Sequence, residues 1–141
     1  MALPLMAYAI LWDTLLDHFN PAAFGQYFEL FKISPWLSAY SSFSSVILSP
    51  VSEELFFRGW MWTGLRKHWG PLATALATAT VWLMLHVSSF SDFSAPIWLI
   101  PVALILSLAR HFGESVRASL ALHILYNSFI AGLPWLFPVT T

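Results

Sequence analysis

Three charged residues stand within an otherwise apolar stretch of the sequence, and they strongly limit what the chain can fold into. Glu53, Glu54 and Arg58 lie between long apolar runs on both sides. Placing even one carboxylate in hydrocarbon costs several kcal/mol. On a helix, residues four apart share a face, so Glu54 and Arg58 are predicted to pair, while Glu53 points about 100° away. The cluster is either a held ion pair beside a reactive carboxylate, or a salt-bridge cluster that closes a helix end.

The composition favours a membrane location for the apolar runs. Hydrophobic residues make up 58% of the 141 residues and charged residues only 9%, with a mean hydropathy of +0.70. A soluble domain carries about 25% charged residues, so this chain has too few polar side chains to cover a globule. We therefore predict an all-α, polytopic membrane helical bundle of about five membrane segments, embedded in the lipid bilayer.

Two function classes are disfavoured by the same composition. The sequence contains no cysteine, which excludes disulfides, thiolate metal sites and a cysteine nucleophile. The net charge is −1 and no basic run is present, so nucleic acid is not an expected partner. The sequence also contains neither the HExxH zinc signature nor a nucleophile-elbow serine.

Breaks in the apolar pattern divide the chain into an N-terminal part, residues 1–34, and a core, residues 35–141. The N-terminal part is interpreted as an apolar segment followed by an interfacial connector. In the core, Ser49-Pro50 either starts a helix, with Ser49 as N-cap, or kinks one long helix. The predicted apolar segments of the core cover residues 35–65, 71–89, 96–109 and 116–133.

Three further polar residues lie inside the predicted membrane segments. His86 is on the third segment, and His123 and Asn127 are four apart on the fifth, where they share a helical face. A rise of about 1.5 Å per residue places these groups at depths where they can meet Glu53 in one cavity. The plainer interpretation is that each side chain only forms hydrogen bonds between helices.

Together these groups have the chemistry of a hydrolase. A buried carboxylate can take a proton from water and direct that water at a carbonyl, and two imidazoles and an amide can stabilise the oxyanion that develops. The same groups also suit metal binding, because Glu53, His86 and His123 supply one oxygen and two nitrogens, a ligand set typical of catalytic zinc. The residues alone do not distinguish metal-free from zinc-assisted activation of water.

Three motifs follow one another along the chain: Glu53-Glu54-x-x-x-Arg58, Trp82-x-x-x-His86 and His123-x-x-x-Asn127. In this order they resemble the CPBP family of intramembrane proteases, which includes CAAX prenyl endopeptidases and bacteriocin-processing proteins and is also called the Abi family. The resemblance covers roughly residues 45–130. The sequence departs from the family pattern at Trp82, where the family more often has phenylalanine.

The resemblance implies a role for each motif residue. Glu53 would match the catalytic glutamate that activates water, and Glu54 and Arg58 would match its supporting pair. The two motif histidines would orient the water or bind a metal, and Asn127 would help to form the oxyanion site. The protein is then expected to be an endopeptidase that cuts a membrane-associated protein or peptide, either a CAAX-type substrate or a peptide precursor.

Two other functions use the same residues. A non-catalytic membrane adaptor or bacteriocin-immunity protein would keep the fold and the polar cluster but bind a partner. A small channel or transporter subunit would use Glu53 and His86 as a proton path. Retention of the phenotype after Glu53→Gln would favour the adaptor, and dependence on an ion or proton gradient would favour the transporter.

Overall fold

The computed structural model describes residues 35–86 and 94–136, and every element in these two ranges is helical. The all-α prediction is thereby confirmed for this part of the chain. The predicted N-terminal part, residues 1–34, lies outside the described residues. Within the two ranges, no helix combines enough length with enough apolarity to cross a membrane. The five membrane segments stay a prediction.

The helical elements of the described ranges alternate at first between α-helix and π-helix. In chain order they are α1 (Pro35–Phe43), π1 (Ser44–Leu48), α2 (Ser49–Glu54), π2 (Leu55–Met61), α3 (Trp62–Leu65), α4 (Pro71–Met84), α5 (Ser94–Phe112) and α6 (Val116–Leu136). The elements from α1 to α3 follow one another without an intervening loop. Stretches of π-helix inside α-helices are frequent at functional sites, and π2 carries Arg58.

Ser49 does not cap a new helix. Its dihedral angles, φ −62° and ψ −54°, are helical, and its backbone N–H donates to the carbonyl of Ser44. An N-cap residue has non-helical dihedral angles, so the helix start predicted at Ser49 is wrong. Helical structure instead continues through Pro50 into the charged motif.

Helix α4 begins where the sequence predicts a turn. Gly70 is extended, with φ −65° and ψ 164°, and Pro71 takes the first helical position, where a missing N–H costs nothing. The buried face of α4 carries mainly small side chains, which allow the close approach of its neighbour α5. The buried residues of α4 are Thr74, Ala75, Thr78, Ala79 and Trp82, and those of α5 include Val102, Ala103, Leu106 and Ser107.

A tight turn connects α5 to α6, between the predicted segments 96–109 and 116–133. A Cβ atom on Gly113 would lie 2.4 Å from the Cβ of Ala118 and 2.7 Å from the carbonyl oxygen of Ala109, so no larger residue fits without movement. Glu114 then adopts a positive φ of 50°. The turn directs α6 into the part of the fold that contains the charged motif.

The chain forms two compact units. One contains residues 50–123, and the other contains residues 1–49 together with 124–141. Five of the six predicted site residues belong to the first unit, and Asn127 belongs to the second.

Candidate active site

A fully buried ion pair forms the centre of the candidate site. The Nη1 atom of Arg58 donates to Oε1 of Glu54 at 2.9 Å, and neither side chain is exposed to solvent. The predicted pairing at a spacing of four residues is confirmed. The second guanidinium nitrogen, Nη2, donates to the carbonyl of Ala103 at 3.2 Å, and Arg110 Nε donates to the carbonyl of Arg58 at 2.8 Å. Helix α5 thus holds Arg58 at both its side chain and its backbone.

His123 brings α6 to the same carboxylate. Its Nδ1 atom lies 3.0 Å from Oε1 of Glu54, and its ring is 3% exposed. A carboxylate oxygen only accepts, so Nδ1 carries the proton in this arrangement. The Ser119 hydroxyl, one helical turn earlier, also faces this carboxylate. Glu54 is therefore surrounded by partners from its own helix and from α6.

Glu53, the adjacent residue, has a different partner. The indole Nε1 of Trp82 donates to Oε2 of Glu53 at 2.5 Å. Trp82 is 2% exposed, whereas Glu53 is half-buried. Two neighbouring carboxylates therefore have separate surroundings: Glu54 is enclosed in an ion pair, and Glu53 lies nearer the surface with a neutral donor.

His86 lies at the end of α4 and contacts Trp82. Its Nδ1 atom is 2.9 Å from the carbonyl of Trp82, and the two ring centroids are 4.0 Å apart. A carbonyl also only accepts, so this nitrogen carries the proton as well. The half-buried imidazole is thereby fixed against the indole that holds Glu53.

A family model described as type II CAAX prenyl endopeptidase, Rce1-like, matches residues 35–129, which is more than half of the chain. The chain belongs to the Rce1-like family. The match includes all three motifs and confirms the resemblance noted in the sequence. No curated protein and no solved structure matches significantly.

Zinc binding by Glu53, His86 and His123 stays a prediction. Among the residues that the structure describes, no three histidine, aspartate or glutamate side chains form a group that could hold a metal ion. The Nδ1 atoms of His123 and His86 are engaged by Glu54 and by the carbonyl of Trp82, and histidines that bind metals commonly use one ring nitrogen in this way. No step proposed below uses a metal.

Asn127 is found in a different setting from the other motif residues. Its side-chain amide donates to the carbonyl of Ser45 at 2.9 Å, within the unit formed by residues 1–49 and 124–141. This contact matches the plainer interpretation of Asn127 as a hydrogen bond between helices. A role for Asn127 in an oxyanion site stays a prediction.

Trp82 contacts the candidate site through an N–H donor that the motif pattern did not predict. In the sequence it stands out only as the aromatic member of the second motif and as a departure from the usual phenylalanine. That departure was the available signal, because an indole has an N–H donor that a phenyl ring lacks. In the Rce1-like site the donor reaches a carboxylate 29 residues earlier in the chain.

Proposed function

We propose that this protein is a glutamate-dependent intramembrane endopeptidase, which hydrolyses a peptide bond in a membrane-associated substrate with an activated water molecule. The substrate would be a CAAX-type prenylated peptide or a peptide precursor. One observation carries the proposal: a half-buried Glu53 lies directly beside a fully buried assembly of Glu54, Arg58 and His123. The family membership supports peptide-bond hydrolysis as the reaction.

The two glutamates differ in their contacts and in their burial, and these differences support different roles. Oε1 of Glu54 receives both Arg58 and His123, and the residue is inaccessible to solvent, so Glu54 acts as a structural anchor. Glu53 is accessible enough to meet water and substrate, so Glu53 acts as the general base. A positioned base of this kind contributes roughly 10²–10⁴-fold to a rate.

The histidines would act on the water and on the developing oxyanion. His86 is half-buried beside the indole that holds Glu53, which places an imidazole near the proposed base. The proton that Glu53 takes from water must later reach the leaving amine, and an imidazole is suited to this transfer. His123 supports the site from within, through its contact with Glu54.

A membrane location is part of the proposal, and the surface of the unit of residues 50–123 supports it. Several large apolar side chains there are about two-thirds or more exposed: Trp60, Leu72, Met84, Leu85 and Phe112. Such side chains are better accommodated by hydrocarbon than by water. A buried carboxylate–guanidinium pair inside an apolar helix is also typical of functional sites in membranes.

A cleavage assay with the full chain tests the proposal. The purified protein, in detergent or liposomes, is given a prenylated CAAX peptide, its unprenylated form and a library of membrane-associated peptides. We expect cleavage by the wild type and a loss of about 10²–10⁴-fold in Glu53→Gln. Glu114→Gln is the matched control, because it makes the same change at an exposed turn outside the site.

Three outcomes of this assay are informative. An unchanged rate in Glu53→Gln, or no cleavage of any peptide by well-folded wild type, would contradict the proposal and favour the adaptor. A preference for the prenylated peptide over its unprenylated form would identify a CAAX-type substrate. Inhibition by a chelator would favour zinc-assisted activation of water, and unchanged cleavage would favour metal-free activation.

A further inference from the structure

Trp82, which has no role in the proposed reaction, contacts several residues of the candidate site. Trp82 donates its indole N–H to Glu53, and its ring stacks against His86 with centroids 4.0 Å apart. The guanidinium carbon of Arg58 lies 5.6 Å from the ring centroid, and His123 meets the ring edge-on at 6.0 Å. Trp82 is therefore in contact with four of the predicted site residues.

Its position is well defined by packing. Trp82 is one of the largest fully buried side chains of the described residues, on the face of α4 that packs against α5. An indole has only two rotatable side-chain bonds, and a buried one has little freedom left. Its N–H edge is therefore held toward Glu53 by the core and does not depend on a surface loop.

The indole also gives the two carboxylates different electrostatic surroundings. Glu53 and Glu54 both interact with the charge of Arg58, so either could compete for the guanidinium. Trp82 gives Glu53 a neutral donor, and the face of the same ring lies near the guanidinium, an arrangement that favours the cation. Arg58 donates to Glu54, and Glu53 accepts from the indole.

We propose that Trp82 is a positioning residue for the general base, which holds the carboxylate of Glu53 in place through its indole N–H. This inference rests on the proposed function, since it assumes that Glu53 is the base. A phenyl ring at this position would have no N–H to donate to the carboxylate.

The charged and titratable groups of the site come from several elements. They are Glu53 and Glu54 on α2, Arg58 on π2, His86 just after α4 and His123 on α6, with Arg110 of α5 bonded to the carbonyl of Arg58. Trp82→Phe leaves these groups in place and keeps an aromatic ring, but it removes the second ring of the indole together with the N–H. A control that removes the same atoms elsewhere is therefore needed to separate the loss of the donor from the loss of packing.

The first arm of the test is kinetic. We expect kcat of Trp82→Phe to fall about tenfold with little change in KM, the size expected for loss of one hydrogen bond to a charged group. A purely structural role would lower stability without this separation of kcat from KM.

Trp62→Phe is the matched control for the kinetic arm. Trp62 is also buried, at 4% exposure, and its ring lies 5.6 Å from the guanidinium carbon of Arg110, the same separation as between Trp82 and Arg58. The control removes the same atoms from a buried ring beside Arg110, which is not one of the predicted site residues. We expect its kcat and KM to stay at the wild-type values.

The second arm detects the hydrogen bond without activity. The chain has eight tryptophans, so a ¹⁵N–¹H spectrum of the full protein in detergent should show eight indole signals. Trp82→Phe identifies its signal by deletion, and Glu53→Gln should move that signal upfield because the charged acceptor is lost. The indole of Trp62 should not move.

The two arms separate this inference from the proposed function. If the wild type cleaves nothing, the proposed function fails, and the spectrum still decides whether Trp82 holds Glu53. If the wild type cleaves and Glu53→Gln does not, but Trp82→Phe keeps the wild-type kcat, only the inference fails. An indole signal of Trp82 that is unaffected by Glu53→Gln would also overturn the inference.

Discussion

At the scale of single residues, the site depends on the contrast between two adjacent carboxylates. Glu54 and Arg58 are both fully buried and paired, whereas Glu53 is half-buried and held by Trp82. Removing one member of a buried ion pair leaves the other charge without compensation and costs about 3–5 kcal/mol. We therefore expect Glu54→Gln to act mainly on stability and Glu53→Gln to act mainly on activity.

We predict that Glu54→Gln lowers the free energy of unfolding by about 3–5 kcal/mol, because Arg58 would stay buried without its counter-charge. Glu53→Gln should abolish cleavage and change stability by less than about 1 kcal/mol, since a half-buried position remains partly hydrated. Thermal and denaturant unfolding in detergent, followed by circular dichroism, measures both variants. Equal losses of stability would contradict the separate roles.

Spacing along the sequence predicts one contact of the site but not the other. Glu54 and Arg58 are neighbours on one helix, so their pairing follows from a separation of four residues. The contact between Glu53 and Trp82 joins residues 29 positions apart and depends on how α4 packs. Without the tertiary arrangement, Trp82 could only be recognised as an aromatic residue at helical spacing.

At the scale of elements, the turn between α5 and α6 determines whether His123 can reach Glu54. Gly113 lies within contact distance of Ala109 and Ala118, and Glu114 has a positive φ. The ends of α4 to α6 were largely predictable from Gly, Pro and basic residues. The α–π alternation from Pro35 to Leu65 was not, because a π-helical stretch has no sequence signature comparable to a cap.

We predict that Gly113→Ala destabilises the protein by about 1–3 kcal/mol, the cost of overpacking, because its Cβ would lie 2.7 Å from the backbone oxygen of Ala109. Gly64→Ala is the matched control. Gly64 lies in α3 with nothing within 4 Å of the added atom, so a gain of about 0.5–1 kcal/mol is expected there. Unfolding midpoints measure the difference, and equal effects would contradict this account of the turn.

At the scale of the whole molecule, the high hydrophobic content of the chain predicts an apolar surface. Hydrophobic residues make up 58% of the chain, and they supply the exposed side chains of the unit of residues 50–123 as well as its core. Composition predicted the all-α class of the described residues. It could not predict the division into two units, which depends on contacts between distant parts of the chain.

Spin labels can test whether the exposed apolar positions face lipid. The chain has no cysteine, so a single introduced cysteine reacts uniquely. In liposomes, labels at Trp60→Cys and Met84→Cys should be relaxed more by oxygen than by a polar reagent, because oxygen concentrates in hydrocarbon. A label at Lys67→Cys, in an exposed basic turn, should show the reverse order. Equal accessibility of all three sites to the polar reagent would contradict the membrane location.

The contact between His123 and Glu54 has a consequence for the protein during its synthesis. The two residues are 69 positions apart, so the carboxylate cannot receive its histidine until α6 has left the ribosome. Contacts of such long sequence separation form late in folding, because the closure of a long loop must come first. A nascent or truncated chain that lacks α6 would be unable to assemble the site, and any proteolytic activity would be confined to the completed core.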